Sequence, residues 1–102
     1  MKALFLVTYD ITSNKIRTKV AHKLTYFGLS RIQYSVFIGP LSVTLLPQLK
    51  NWLKGIEGDL TTGNSILIFP ITHNSLQKRI IFGDATYDWQ DLFGLRHTLY
   101  LD

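Results

Sequence analysis

Four apolar residues in a row, Leu4-Phe5-Leu6-Val7, with Tyr9 and Asp10 close behind, constrain this sequence more than any other stretch. Such a run of strand formers reads as a strand buried on both faces. Asp10 then stands at the mouth of a buried strand, beside a tyrosine, and two readings fit it. It can cap a helix beginning just after it, where exposed N–H groups and the helix dipole favour a carboxylate. It can also bind a metal ion beside a phosphate. Position alone favours the cap, but the surrounding charge shifts the balance.

Residues 1–56 carry eight basic side chains (Lys2, Lys15, Arg17, Lys19, Lys23, Arg31, Lys50 and Lys54) against one acid, Asp10, a net +7. Residues 57–102 carry three basic and six acidic residues, a net −3. This asymmetry predicts a polyanion-binding face built from the first half, with nucleic acid as the partner. No long basic amphipathic helix points to a membrane surface, and no apolar run approaches the length of a membrane span. The short apolar run after Lys2 is too short for a secretory signal, so the expected compartment is the cytoplasm. At 102 residues, 46% hydrophobic and 18% charged, the chain suits one small domain and is not a disordered polymer. With no cysteine, disulfide frameworks, thiolate metal sites and cysteine catalysis are excluded.

Along the chain, Thr12-Ser13-Asn14 offers three N-caps. Ile16, Val20, Leu24 and Phe27 recur at helical spacing, and Gly28 supplies a stop, which predicts a helix over about 14–27. Lys15, Lys19 and His22 lie on one flank of its apolar face and Arg17 on the other. Residues 31–39 alternate as strand, either one bent strand or two with a turn near Tyr34-Ser35, closed by Gly39-Pro40. A second helix runs to Lys54, capped by Ser42 or Thr44, with Pro47 in its first turn and Gly55 as its stop. Asp59 and Asn64 read as turn formers. Ser65 to Phe69 is a second buried strand closed by Pro70, and a shorter strand is expected over 78–82. The order fits a single α+β domain with two helices on one face of a sheet. His22, His73 and His97 show no metal-ligand spacing. One carboxylate per chain, with waters and substrate phosphates, is enough for a thin magnesium site, and two chains could pool two.

The combination of Val7-Thr8-Tyr9-Asp10-Ile11, a basic helix ending at Tyr26-Phe27-Gly28-Leu29, Arg31-Ile32-Gln33-Tyr34-Ser35-Val36-Phe37-Ile38-Gly39 and Ser65-Ile66-Leu67-Ile68-Phe69-Pro70 resembles the CRISPR-associated Cas-two family over roughly residues 1–82. These are small metal-dependent endonuclease-like proteins that accompany the spacer integrase. The resemblance implies a ferredoxin-like βαββαβ sandwich over residues 1–83, with two helices on one face of an antiparallel sheet. Residues 84–102 would be a C-terminal extension packing on the domain or on a dimer partner. It implies a homodimer with Mg2+ held between the two copies of Asp10, and cleavage of RNA or DNA in some members. In others it implies a scaffold role between integrase dimers. Carried over by position, Tyr9, Asp10, Arg17, Arg31 and Phe37 fall on the family's functional pattern, and Lys19 keeps a positive charge there. Ile38 stands where many members have glutamate, and Leu67 where many have arginine, which leaves Asp10 more isolated.

The expected chemistry is phosphodiester hydrolysis, with Asp10 as metal ligand and catalytic residue. Arg17, Lys19, Arg31 and the neighbouring Lys15 would neutralise phosphates. Tyr9 would position a phosphate or hydrogen-bond at the strand end. Phe37 would stack on a base or belong to the core. A non-catalytic nucleic-acid scaffold is the alternative. A small-ligand module, with an incidental basic half, is the third class.

Overall fold

The apolar run forms the inner part of strand β1 (Lys2–Asp10) in the computed structural model, which describes residues 2–85. β1 is flanked on both sides. Strand β3 (Val36–Ser42) pairs with it antiparallel, from Lys2 opposite Ser42 to Thr8 opposite Val36. On the other side β4 (Ser65–Ile71) pairs antiparallel, from Leu4 opposite Ile71 to Asp10 opposite Ser65. Strand β2 (Ser30–Gln33) adds to the outer side of β3, giving the order β2-β3-β1-β4. With helices α1 (Asn14–Tyr26) and α2 (Leu45–Ile56) in the crossovers, this is the ferredoxin-like βαββαβ arrangement.

Side chains of a strand alternate between faces, and here both faces are apolar. Val7 and Tyr9 join the main core with Val20 and Leu24 of α1 and Leu49 and Ile56 of α2. Leu4 belongs instead to a smaller cluster on the opposite face with Ile38 and Leu76, against which Leu6, Ile32 and Ile71 pack. That second cluster is the physical meaning of the unbroken Leu4–Val7 run.

Ser13, not Asp10, caps α1: its hydroxyl accepts from the N–H of Ile16 at 3.2 Å. At the other end, Gly28 takes a φ of +93°, and the N–H groups of Gly28 and Leu29 donate to Thr25 and Leu24. This is the six-to-one and five-to-two closure that favours glycine, with Leu24 and Leu29 meeting in the core.

Several predicted ends move. Gly39-Pro40 does not close β3. A Cβ on Gly39 would meet the Leu29 backbone at 3.1 Å, so glycine there admits the α1–β2 connection. Pro40 lies beyond Ile38, the last β3 residue that β2 pairs. Pro70 likewise sits inside β4, where the edge position tolerates a missing N–H. Gly55 is helical within α2, which continues to Ile56 and a 3-10 turn over Glu57–Asp59. Ser42 supplies the cap bond, accepting from Leu45 N–H at 3.1 Å, while Thr44 makes none.

The expected strand over 78–82 is absent. Thr72 instead caps a short helix α3 (His73–Gln77), its hydroxyl accepting from Ser75 N–H at 2.9 Å, and Leu76 covers the second cluster. A strand requires a partner, and residues 80–82 pair with neither sheet edge. Ile80 and Phe82 are left 80% and 93% exposed. The extension expected over 84–102 lies outside the described residues from 86 onward.

Candidate active site

Asp10 ends the central strand and is exposed. Its carboxylate has no hydrogen-bond or ion-pair partner among the described residues. It therefore keeps its acceptor positions for a ligand. Tyr9 turns inward and is buried, its ring 6.3 Å from Phe37 at a shallow angle.

The segment after Asp10 is fixed from two sides. Arg17, one turn into α1, donates through Nη1 to the carbonyls of Ile11 at 2.9 Å and Thr12 at 3.3 Å, and through Nη2 to Asn14 Oδ1 at 2.6 Å. Asn64, just ahead of β4, accepts from the Thr12 N–H at 3.2 Å and donates to the Thr12 hydroxyl at 3.0 Å. Arg17 is thus a backbone clamp as well as a positive charge. Asn64 forms its turn with Thr61, as the sequence suggests, but nothing in the sequence signals its reach across 52 positions to Thr12.

Arg31, on β2, lies 5.1 Å from the Phe37 ring centroid and donates at 3.4 Å to the Tyr9 hydroxyl. Its guanidinium is also 5.7 Å from the Tyr34 ring, and Arg17 stands at the same distance from that ring. The structure therefore brings Arg17 and Arg31 to the Tyr34 ring, with Tyr9 and Phe37 against Arg31, at the end of the sheet where Asp10 lies. Lys15 and Lys19 are exposed along α1 and make no hydrogen bond or ion pair among the described residues. Phe37 is 1% exposed, so it has no free ring face for a base: the core reading holds and stacking by Phe37 is corrected. A groove of about 540 Å³ opens between α2 and β4, lined by Lys50, Lys54 and Glu57 and by Asn64 and Ser65.

Among the described residues no three His, Cys, Asp or Glu side chains converge as a metal cage. The open carboxylate fits magnesium in one manner: a hydrated ion taking one carboxylate from a chain and completing its shell elsewhere.

The fold and this site define a ferredoxin-like protein with a basic sheet end tipped by a single acid. A family model described as CRISPR associated protein Cas2 matches residues 2–79, and the chain belongs to that family. It is 38% identical over 82 residues to the CRISPR-associated endoribonuclease Cas2 2 of Pyrobaculum aerophilum, covering 76% of this chain and 84% of that one. It is 48% identical over 59 residues to a CRISPR-associated endonuclease Cas1/endonuclease Cas2 fusion of Thermoproteus tenax, covering 54% of this chain and 22% of the fusion. A crystal structure of cas2 superposes with a TM-score of 0.61 at 29% identity, covering 85% of this chain and 94% of that one. Among the described residues no helix is long and apolar enough to cross a membrane.

Proposed function

We propose that the protein is a magnesium-dependent endonuclease of CRISPR antiviral defence, working as a cytoplasmic homodimer beside the integrase in spacer acquisition. The observation that carries this reading is the open carboxylate of Asp10, set at the tip of the central strand directly before the segment that Arg17 ties to α1. Relatives named as endoribonucleases support the activity, and the fused relative supports a partnership with Cas1.

Asp10 of each subunit would hold the ion, which when bound supplies Lewis acidity at the phosphate and lowers the pKa of a coordinated water. The chain's own residues do the rest. Arg31 has guanidinium donors beyond the one shared with Tyr9, and these would meet phosphate oxygens. Arg17 and Asn64 hold residues 11–14 rigid, so Asp10 does not wander with a loose loop. Lys15 and Lys19 neutralise more distant phosphates and set register without reading bases. Tyr9 anchors Arg31 rather than meeting substrate directly.

Dimerisation has support in the second sheet face. Leu67 and Phe69 of β4 lie about half exposed there, at 49% and 47%, and Ile80 and Phe82 add uncovered apolar surface nearby in sequence. A second subunit on this face would cover them and bring in a second acid.

The non-catalytic scaffold is the second reading, favoured by Ile38, which is buried in the sheet and leaves Asp10 without a neighbouring acid. Incubating purified protein with single-stranded RNA, single-stranded DNA and duplex DNA, with magnesium and with a chelator, separates the two. Magnesium-dependent cuts support the nuclease. Binding without cuts supports the scaffold.

A further inference from the structure

Tyr34 is the one member of the arginine cluster that the family pattern above does not single out. It occupies the first position of the two-residue connection between β2 and β3, where small turn-forming residues are the rule. No apolar packing requires it there: its side chain is 67% exposed. Two guanidiniums nonetheless stand over it, Arg17 and Arg31, each 5.7 Å from the ring centroid.

Its position relative to Asp10 follows from the register. Thr8 is opposite Val36, and the Tyr9 N–H donates to the Ser35 carbonyl at 3.1 Å. Continued by one residue, this ladder brings the backbone of Tyr34 level with that of Asp10 at the same end of the sheet, the Asp10 side chain alternating to the face opposite Tyr9.

We propose that Tyr34 is a stacking platform that holds the nucleobase adjoining the phosphate presented to Asp10. The proposal rests on reading this end of the sheet as the nucleic-acid site. An exposed ring beside two cations suits a nucleotide in both of its parts: the base lies on the ring, and the phosphates on either side meet the guanidiniums. Arg31 serves this role with its remaining donors, while Arg17, tied to the Ile11 and Thr12 carbonyls, holds the ring in place. Phe37, whose ring is sealed in the core, supports the cluster from beneath through Arg31. A base can lie flat on Tyr34 only when unpaired, so the platform selects single-stranded segments and tolerates any base.

The test measures binding apart from cleavage. A short single-stranded RNA carrying 2-aminopurine is titrated, without metal, into the Asp10→Asn protein and into the same protein with Tyr34→Phe, Tyr34→Leu or Tyr34→Ala. Stacking one base on an aromatic ring predicts a loss of roughly 5- to 100-fold in affinity for Tyr34→Ala and Tyr34→Leu. The 2-aminopurine quench should vanish with it, while Tyr34→Phe keeps both. The slope of affinity against salt should stay the same, because no phosphate contact is removed. Thermal melts identify any variant that has not folded, and Tyr34→Asn, a residue suited to the turn that lacks the ring, carries the comparison in that event. Equal binding by Tyr34→Ala and the parent protein overturns the proposal, as does loss of quench in Tyr34→Phe. If wild type fails to cut RNA yet Tyr34→Ala weakens binding, the nuclease reading falls and the platform stands. If cutting persists and Tyr34→Ala binds normally, the platform falls and the nuclease reading stands.

Discussion

The Arg17 guanidinium donates a 2.9 Å hydrogen bond to the backbone carbonyl of Ile11, the residue that follows the open carboxylate of Asp10. A charge expected to meet phosphate is thereby built into the loop that aims the acid. Arg17→Ala should cost about 1–3 kcal/mol, because the Ile11 and Thr12 carbonyls and the Asn14 amide lose a charged donor. Arg17→Lys keeps the charge but not the planar fork, so it should rescue nucleic-acid binding better than stability. Chemical denaturation of both variants beside a binding titration checks this. Full stability in Arg17→Ala would show that the clamp is dispensable.

Lys15 and Lys19 differ from Arg17 in having no tie to the fold. Replacing both with alanine should leave the melting temperature nearly unchanged. For single strands it should reduce the slope of log affinity against log salt by roughly 1.4, if each lysine meets one phosphate. An unaltered slope would mean that this flank of α1 faces only solvent.

Phe37 carries the opposite signature. Its ring is sealed between Arg31 and the main core, so Phe37→Ala should destabilise by about 3–5 kcal/mol. Phe37→Leu should cost about 1 kcal/mol and bind nucleic acid as wild type does. A Phe37→Leu protein that is stable but binds poorly would return the stacking role to this residue.

Much of this was legible in the sequence because the signals were local. Ser13 and Gly28 bracket α1 where the cap and stop chemistry put them, and the Leu4–Val7 run correctly demanded cover on two faces. The errors came from residues whose meaning is set by distant partners. Pro40 and Pro70 look like strand ends until the sheet order shows where N–H groups lack a neighbour. Gly39 looks like a stop until the backbone of Leu29 is seen pressed against it. Residues 78–82 have strand composition, but composition cannot supply a partner strand. At the candidate site, Asp10 stood out as the one acid in a basic half, whereas Arg17 and Arg31 were singled out through the family resemblance. A turn at Tyr34-Ser35 was one of two readings open in the sequence, and the structure takes it, but no local signal shows the two guanidiniums that meet the Tyr34 ring.

The apolar surface on the second sheet face makes a prediction about assembly. Leu67→Glu with Phe69→Glu places two charges on the exposed residues of β4 without touching the main core. Light scattering should give a dimer mass for wild type and a monomer mass for the double variant, with the circular dichroism spectrum unchanged. Cleavage should fall with the dimer, since one chain offers one acid. A wild-type monomer at micromolar concentration would remove the shared metal site.

Asp10 itself should matter for chemistry and little for folding. It is not the cap of α1, since Ser13 fills that place, and its carboxylate bonds to nothing among the described residues. Asp10→Asn preserves shape while removing the charge that attracts a hydrated dication. Magnesium-dependent cleavage should drop to background while the melting temperature stays within about 2–4 °C, an exposed substitution being worth about 0.5 kcal/mol or less. A rise would report two carboxylates facing each other across the dimer, their repulsion relieved. Adding magnesium should then raise the melting temperature of wild type and not that of Asp10→Asn, because a ligand stabilises only a protein that binds it. That difference reads metal binding without any substrate present. Undiminished cutting by thoroughly purified Asp10→Asn protein would overturn the role given to this carboxylate.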